Sequence, residues 1–204
     1  MERTNFACVL TKSGLRRYRL TLGDGEDVAT ISRDFRRLRG VIYGGPGPDV
    51  TYGPAWRVYG GRGDDAPAGQ VVYGGRGGDS LEGVRAEGGR RRSVLRGGAG
   101  DDVLDARSGP VSMYGGPGDD QLETSPGSDM LVGGAGRDQI EIGEASPDGA
   151  ADIYRIRDGG PDDVICDEGT GRGDLFLADG SDEFVFAFCG GRVLLRGRPR
   201  IFVP

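Results

Sequence analysis

Gly97-Gly98-Ala99-Gly100-Asp101-Asp102-Val103-Leu104-Asp105 returns as Gly115-Gly116-Pro117-Gly118-Asp119-Asp120-Gln121-Leu122-Glu123, and again as Gly133-Gly134-Ala135-Gly136-Arg137-Asp138-Gln139-Ile140-Glu141. Each copy starts 18 residues after the one before. Halfway between lie partial copies. Thr124 to Val132 keeps the pattern with Asp129 at its sixth position, whereas Gly88 to Arg96 and Ala106 to Tyr114 carry Ser93 and Val111 there. The unit is therefore nine residues long, and two units make one coil. Short-period self-similarity of this kind is the mark of a solenoid. Position eight stays apolar in every unit: Leu95, Met113 and Leu131 in one set, Leu104, Leu122 and Ile140 in the other. Two apolar ladders follow, one on each side of a flat coil. The expected fold is all-β, a parallel β-roll with two nine-residue units per coil.

Position six is where the chemistry concentrates. Stacked strands lie about 4.8 Å apart, so Asp102, Asp120 and Asp138 should line one edge. Two bare carboxylates at that spacing repel by roughly 3–4 kcal/mol at an effective dielectric near 20. A cation between the rungs removes the penalty. The Gly-rich positions one to four allow tight turns in which carbonyl oxygens converge. Carboxylates mixed with carbonyls are the donor set of Ca²⁺.

The pattern Gly-Gly-x-Gly-x-Asp-x-apolar-x resembles the RTX (repeats-in-toxin), hemolysin-type calcium-binding nonapeptide repeat. The resemblance is close over 88–141. It is looser upstream, through Gly44-Gly45-Pro46-Gly47-Pro48-Asp49, Gly60-Gly61-Arg62-Gly63-Asp64-Asp65 and Gly74-Gly75-Arg76-Gly77-Gly78-Asp79. Spacings there are 16 and 14 residues, which leaves the register before residue 88 open. The resemblance implies Ca²⁺ as the cofactor, one ion between the Asp102 and Asp120 turns and one between the Asp120 and Asp138 turns. It also implies that backbone carbonyls complete the shell, at Gly98 and Gly100, at Gly115, Gly116 and Gly118, and at Gly134 and Gly136. Asp129 joins the candidate ligands, and Asp79, Asp65 and Asp49 are weaker candidates. The opposite edge, with Ser93 and Val111 side by side in the repeat, is expected to hold few ions or none.

Composition narrows the function. Of 204 residues 41 are Gly and 11 are Pro, too little Pro and no strict triplet period for collagen. Recurrent apolar clusters such as Val71-Val72-Tyr73 argue against a disordered linker. Net charge is −6, but residues 1–40 sum to +4 and residues 181–204 to +2, which leaves −12 in the middle. That suits cation binding and argues against a nucleic-acid groove there. The absence of His removes the Ser-His-Asp and Cys-His routes to a nucleophile, and the chain is read as having no catalytic residues. Cys8, Cys166 and Cys189 form no CxxC pair, and their disulfide state stays open. No apolar run approaches the length of a membrane span.

The expected organisation is an N-terminal cap over 1–40, a calcium-binding roll over 41–145, and a C-terminal flank and cap over 146–204, with short strands at both ends shielding the stack. The segments Asp152-Ile153-Tyr154, Asp163-Val164-Ile165-Cys166-Asp167 and Gly173 to Leu177 resemble the flank that follows such arrays. Tyr43, Tyr52, Tyr59 and Tyr73 are expected to pack as a stack, Trp56 to belong to core or cap, and Arg62, Arg76 and Arg90 to be solvated. Phe6 to Leu10 is too short for a signal-peptide core. The resemblance therefore implies a secreted protein exported by a signal-peptide-independent route, whose macromolecular partner is unknown. Two further readings accompany it: a portion or relative of a secreted RTX hydrolase or epimerase, and an adhesion module that binds anionic surfaces through its Arg-rich ends.

Overall fold

A computed structural model describes residues 17–32, 38–84, 92–107, 109–124, 127–142, 152–156, 160–166, 175–179, 183–185, 192–196 and 200–202. Every regular element among them is a β-strand. Ten strands form one parallel sheet, beginning with Arg17–Thr21, Arg39–Pro46, Arg57–Arg62 and Val71–Arg76 and ending at Arg192–Arg196. Eight strands form a second, from Ala68–Gly69 through Val103–Asp105, Gln121–Glu123 and Gln139–Ile142 to Arg200–Phe202. Two more, Asp27–Thr30 and Asp49–Tyr52, pair with each other. The chain alternates between the two sides, so each strand pairs with the one a full coil away. This is an all-β parallel β-solenoid of about seven turns, with two nine-residue units in each regular coil.

The two apolar ladders form as expected. Leu95 pairs with Met113 and Met113 with Leu131 in the first sheet; Leu104 pairs with Leu122 and Leu122 with Ile140 in the second. All six are buried. The first ladder extends upstream through Ile42, Val58 and Val72 and downstream to Tyr154 and Phe176, whose rings stack at 4.7 Å. Alternation explains this: in a strand, every second side chain faces the same way.

Stacking also continues on both sides of 41–145. Arg17–Thr21 pairs residue by residue with Arg39–Tyr43, and Ile153–Arg155, Leu175–Asp179 and Arg192–Arg196 extend the first sheet. The tyrosine expectation needs a correction. Tyr43, Tyr59 and Tyr73 stack with centroids 5.0 and 4.8 Å apart, but Tyr52 lies in the Asp49–Tyr52 strand and is 57% exposed. The backbone alternates between the two sides of the coil, and Tyr52 falls on the other one. Trp56 sits between two guanidiniums, Arg39 at 5.4 Å and Arg57 at 4.8 Å from its ring centroid. Arg62 and Arg76 are exposed, Arg90 lies outside the described residues, and Arg92 donates to the Val111 carbonyl at 2.8 Å. Cys8 and Cys189 also lie outside the described residues.

Candidate metal centre

Each Gly-rich turn ends in an Asp, and the solenoid places these residues above one another. The amide of Asp102 donates to Asp120 Oδ1 at 2.8 Å, and that of Asp120 donates to Asp138 Oδ1 at 3.0 Å. Upstream the same bond links Asp79 to Asp102, Asp65 to Asp79, Asp49 to Asp65 and Asp27 to Asp49. Downstream, Asp138 N donates to Asp162 Oδ1 at 3.0 Å. One ladder of eight carboxylates therefore runs along a single edge. Its steps are 22, 16, 14, 23, 18, 18 and 24 residues long. The register is constant although the coil length is not.

This fixes what the sequence left open. Asp49, Asp65 and Asp79 are equivalent in placement to Asp102 and Asp120. Sequence reading missed Asp27 and Asp162. Asp27 had a signal, the Gly23-x-Gly25-x-Asp27 spacing, which matches positions two, four and six. Asp162 lacks the full Gly-Gly-x-Gly pattern ahead of it in the sequence and shows only in the structure. Asp129 stands on the opposite edge, where its Oδ1 accepts from Val111 N and its own amide donates to Asp152. The second oxygen of Asp152 accepts from the Tyr154 hydroxyl. Ser93 N there donates to the Pro110 carbonyl, so the carboxylate row does not continue.

The eight ladder residues are at most 5% exposed. Oδ1 of each ladder residue from Asp49 to Asp162 accepts from the amide of the ladder residue before it. The Oδ2 atoms of Asp27, Asp49, Asp65, Asp79, Asp102 and Asp120 are all buried without a hydrogen-bond partner. A buried acceptor left unmade is costly, and a buried bare charge far more so. Burial accordingly pushes Asp79 and Asp120 up to about 7 and Asp49, Asp65 and Asp102 up to about 6. The amide bonds oppose that rise, and the charges of neighbouring Asp residues add to it.

The orphaned oxygens of Asp49, Asp65, Asp79 and Asp120 share one environment. A Cβ added at Gly115 would collide with Asp120 Oδ2 and with the Gly133 carbonyl oxygen of the next coil. Gly44, Gly60 and Gly74 show the same pair of neighbours in their own coils. Each corner is thus a small cradle walled by a carboxylate and a carbonyl. At positions two and four, Gly98, Gly100, Gly116, Gly118, Gly134 and Gly136 all take positive φ, from 123° to 146°. Their carbonyls run along the solenoid edge toward the next turn. No three His, Cys, Asp or Glu side chains converge on one point among the described residues. Any ion held here would take its remaining ligands from the main chain. An all-oxygen shell of carboxylates and carbonyls fits a hard cation such as Ca²⁺ and disfavours soft metals.

A second, exposed Asp row flanks the first. Asp119 N donates to Asp101 Oδ1 at 2.9 Å, Arg137 N to Asp119 Oδ1 at 2.8 Å, and Gly78 N to Asp64 Oδ1 at 2.9 Å. Its sequence signal is the doubled acid of Asp64-Asp65, Asp101-Asp102 and Asp119-Asp120. These side chains tie turn to turn at the surface.

Comparison with known proteins agrees with this geometry over part of the chain. Residues 85–110 and 112–143 match the family described as RTX calcium-binding nonapeptide repeat (4 copies). No catalytic domain is identified by that comparison. No curated protein and no solved structure matches the chain. With the repeat spacing, the stacked carboxylates and the family match in agreement, residues 85–143 of this protein are RTX calcium-binding nonapeptide repeats.

Proposed function

We propose that the chain is a calcium-responsive β-roll module whose ions lie along the Asp27 to Asp162 edge and hold successive turns together. The observation that carries the reading is the row of buried Oδ2 atoms of Asp49, Asp65, Asp79, Asp102 and Asp120, without a hydrogen-bond partner and each beside a glycine. Ions between the Asp102 and Asp120 turns and between the Asp120 and Asp138 turns stand at its centre. Gly98, Gly100, Gly115, Gly116, Gly118, Gly134 and Gly136 supply carbonyls, and Asp79 belongs to the same series. Asp129 serves, if at all, a separate site on the other edge. The strands described on either side of 41–145, Arg17–Thr21 and Ile153–Arg155 among them, continue the same stack.

The energetics favour coupling of binding to folding. Ordering a Gly-rich coil costs on the order of 1 kcal/mol or more per residue in backbone entropy. Carboxylates stacked inside it add repulsion. Binding that exists only in the folded state offsets both. RTX repeats are typical of secreted proteins, and extracellular millimolar Ca²⁺ would fill sites of about 10⁻⁴–10⁻³ M affinity. We read the module as acting outside the cell and as having no enzymatic role.

A far-UV circular dichroism titration tests the coupling. Metal-free chain at neutral pH should gain strand signal as Ca²⁺ rises; full strand content in excess chelator would refute it. Calorimetry locates the ions. Asp120→Ala removes a rung with neighbours on both sides and should abolish more binding than Asp27→Ala, at the described end of the ladder. Equal losses would refute the ladder as the binding edge.

A further inference from the structure

The outer faces of the two sheets differ in charge in a way that the calcium edge does not require. Five successive strands of the first sheet, from Arg17–Thr21 to Ser93–Ala99, carry seven arginines and no Asp or Glu. In the second sheet, strands from Ser80–Gly83 to Asp163–Cys166 carry Glu82, Asp105, Glu123, Glu141 and Asp163 and no Lys or Arg.

Register sharpens both faces. Glu82, Asp105, Glu123 and Glu141 pair in sequence across four strands and form one outward row. Arg107 approaches Glu82 and Asp105 at 3.6 and 3.4 Å, and Arg137 pairs with Asp163. Glu123 and Glu141 are exposed and meet no basic side chain among the described residues. On the other face, aromatic rings hold the guanidiniums without neutralising them: Arg19 over Tyr43 and Arg96 over Tyr114, besides the two at Trp56. Tyr43, Tyr59 and Tyr73 stack on each other along the same face. A face rich in Arg and Tyr and lacking Asp and Glu has the composition of a protein interface.

We propose that the arginine face of one copy docks on the acidic face of a second copy of this chain. Both faces are parallel sheets with the same axial repeat of about 4.8 Å, so a row of one sign can follow a row of the other along the stack. A like-with-like pairing fits less well. Two arginine faces would repel, whereas the acidic row supplies the missing charge. The basic stretch lies toward the N-terminal coils and the acidic stretch toward the C-terminal ones, so the copies are staggered. Such a contact is heterologous and leaves each end free to add another copy. An overlap of five coils by a four-residue strand covers about 300 Å² per partner, well below a stable specific interface. The association is therefore weak and driven by charge. This inference rests on the fold and not on where the ions bind.

Sedimentation of the full chain in saturating Ca²⁺ tests it. The average mass should rise with concentration at about 20 mM salt and return to monomer near 0.5 M, where screening shortens to a few Å. Arg19→Glu with Arg96→Glu should weaken association about tenfold or more, and so should Glu123→Arg with Glu141→Arg. Mixing the two double variants should restore it, since each then offers what the other lacks. Circular dichroism confirms that the variants are folded; if a reversal unfolds the chain, the neutral pair Arg96→Ser and Glu123→Gln takes its place, and either must lower association. A chain that stays monomeric at low salt, including one whose arginine face binds heparin instead, overturns the proposal. So does a mixture that fails to recover.

Discussion

At the residue scale, the determining feature is a carboxylate with one oxygen used and one spare. Asp120 Oδ1 fixes the turn by accepting from Asp102 N, and Oδ2 is left buried beside Gly115. Gly115 is not among the positive-φ residues, so its backbone tolerates a Cβ and only the space forbids one. Gly115→Ala is expected to lower Ca²⁺ affinity at that corner by tenfold or more, about 1.4 kcal/mol, as calorimetry would show. Gly116 differs: its φ is 132°, and an added Cβ would strike the Gly98 carbonyl. Gly116→Ala should destabilise the roll by about 1 kcal/mol or more with and without calcium. A Gly115→Ala chain that binds like the wild type would place the ions elsewhere. The aspartates of the regular repeats are plain in the sequence because their glycines are intact. Asp162 is not, because the residues ahead of it lack that glycine pattern, although Asp138 N donates to its Oδ1 as elsewhere in the ladder.

At the scale of the element, each strand is short and owes its place to the strands a coil away. Leu122 is 1% exposed and sits between Leu104 and Ile140 in register. Leu122→Ala should cost about 2–5 kcal/mol through lost burial and the cavity left behind. Its thermal midpoint in calcium should fall, and an unchanged midpoint would mean that the second ladder does not carry the stack. Strand positions over 93–141 follow from the apolar eighth position and the glycine turns. Earlier strands pair just as regularly, but the segments that return to them differ in length. Between Asp65 and Asp79 the second-sheet contribution shrinks to Ala68–Gly69, whereas the 23-residue step to Asp102 accommodates Ser80–Gly83. Such slack is cheap, since loop-closure entropy grows only slowly with length.

Over the whole molecule, the carboxylate edge makes stability depend on pH in an unusual direction. Burial raises Asp49, Asp65 and Asp102 to about 6 and Asp79 and Asp120 to about 7, against an ordinary value of 3.8. The metal-free fold therefore holds more protons than the unfolded chain between about pH 4 and 7. Its stabilisation by these groups is complete below about 4 and is lost as pH rises through 6 to 7. Without calcium the roll should become more stable on acidification from pH 8 to 5, measured by thermal melting. With calcium the trend should reverse, because protons and ions compete for the same oxygens. A metal-free chain that loses stability between pH 8 and 5 would contradict a buried, uncompensated edge. Two outer faces of opposite charge also emerge only at this scale, from residues far apart in sequence.

The nine-residue unit, the paired apolar ladders and the corner carboxylate were all decided by the sequence, since each is a local pattern of side chains repeated at fixed offsets. Tertiary structure alone decided that eight carboxylates share one edge, that coils of 14 to 24 residues keep one register, and that Arg and acid separate onto opposite faces. The reason is physical. In a parallel solenoid the bonds that set register join residues a full coil apart, and the loops between them absorb any difference in length without moving the ladder.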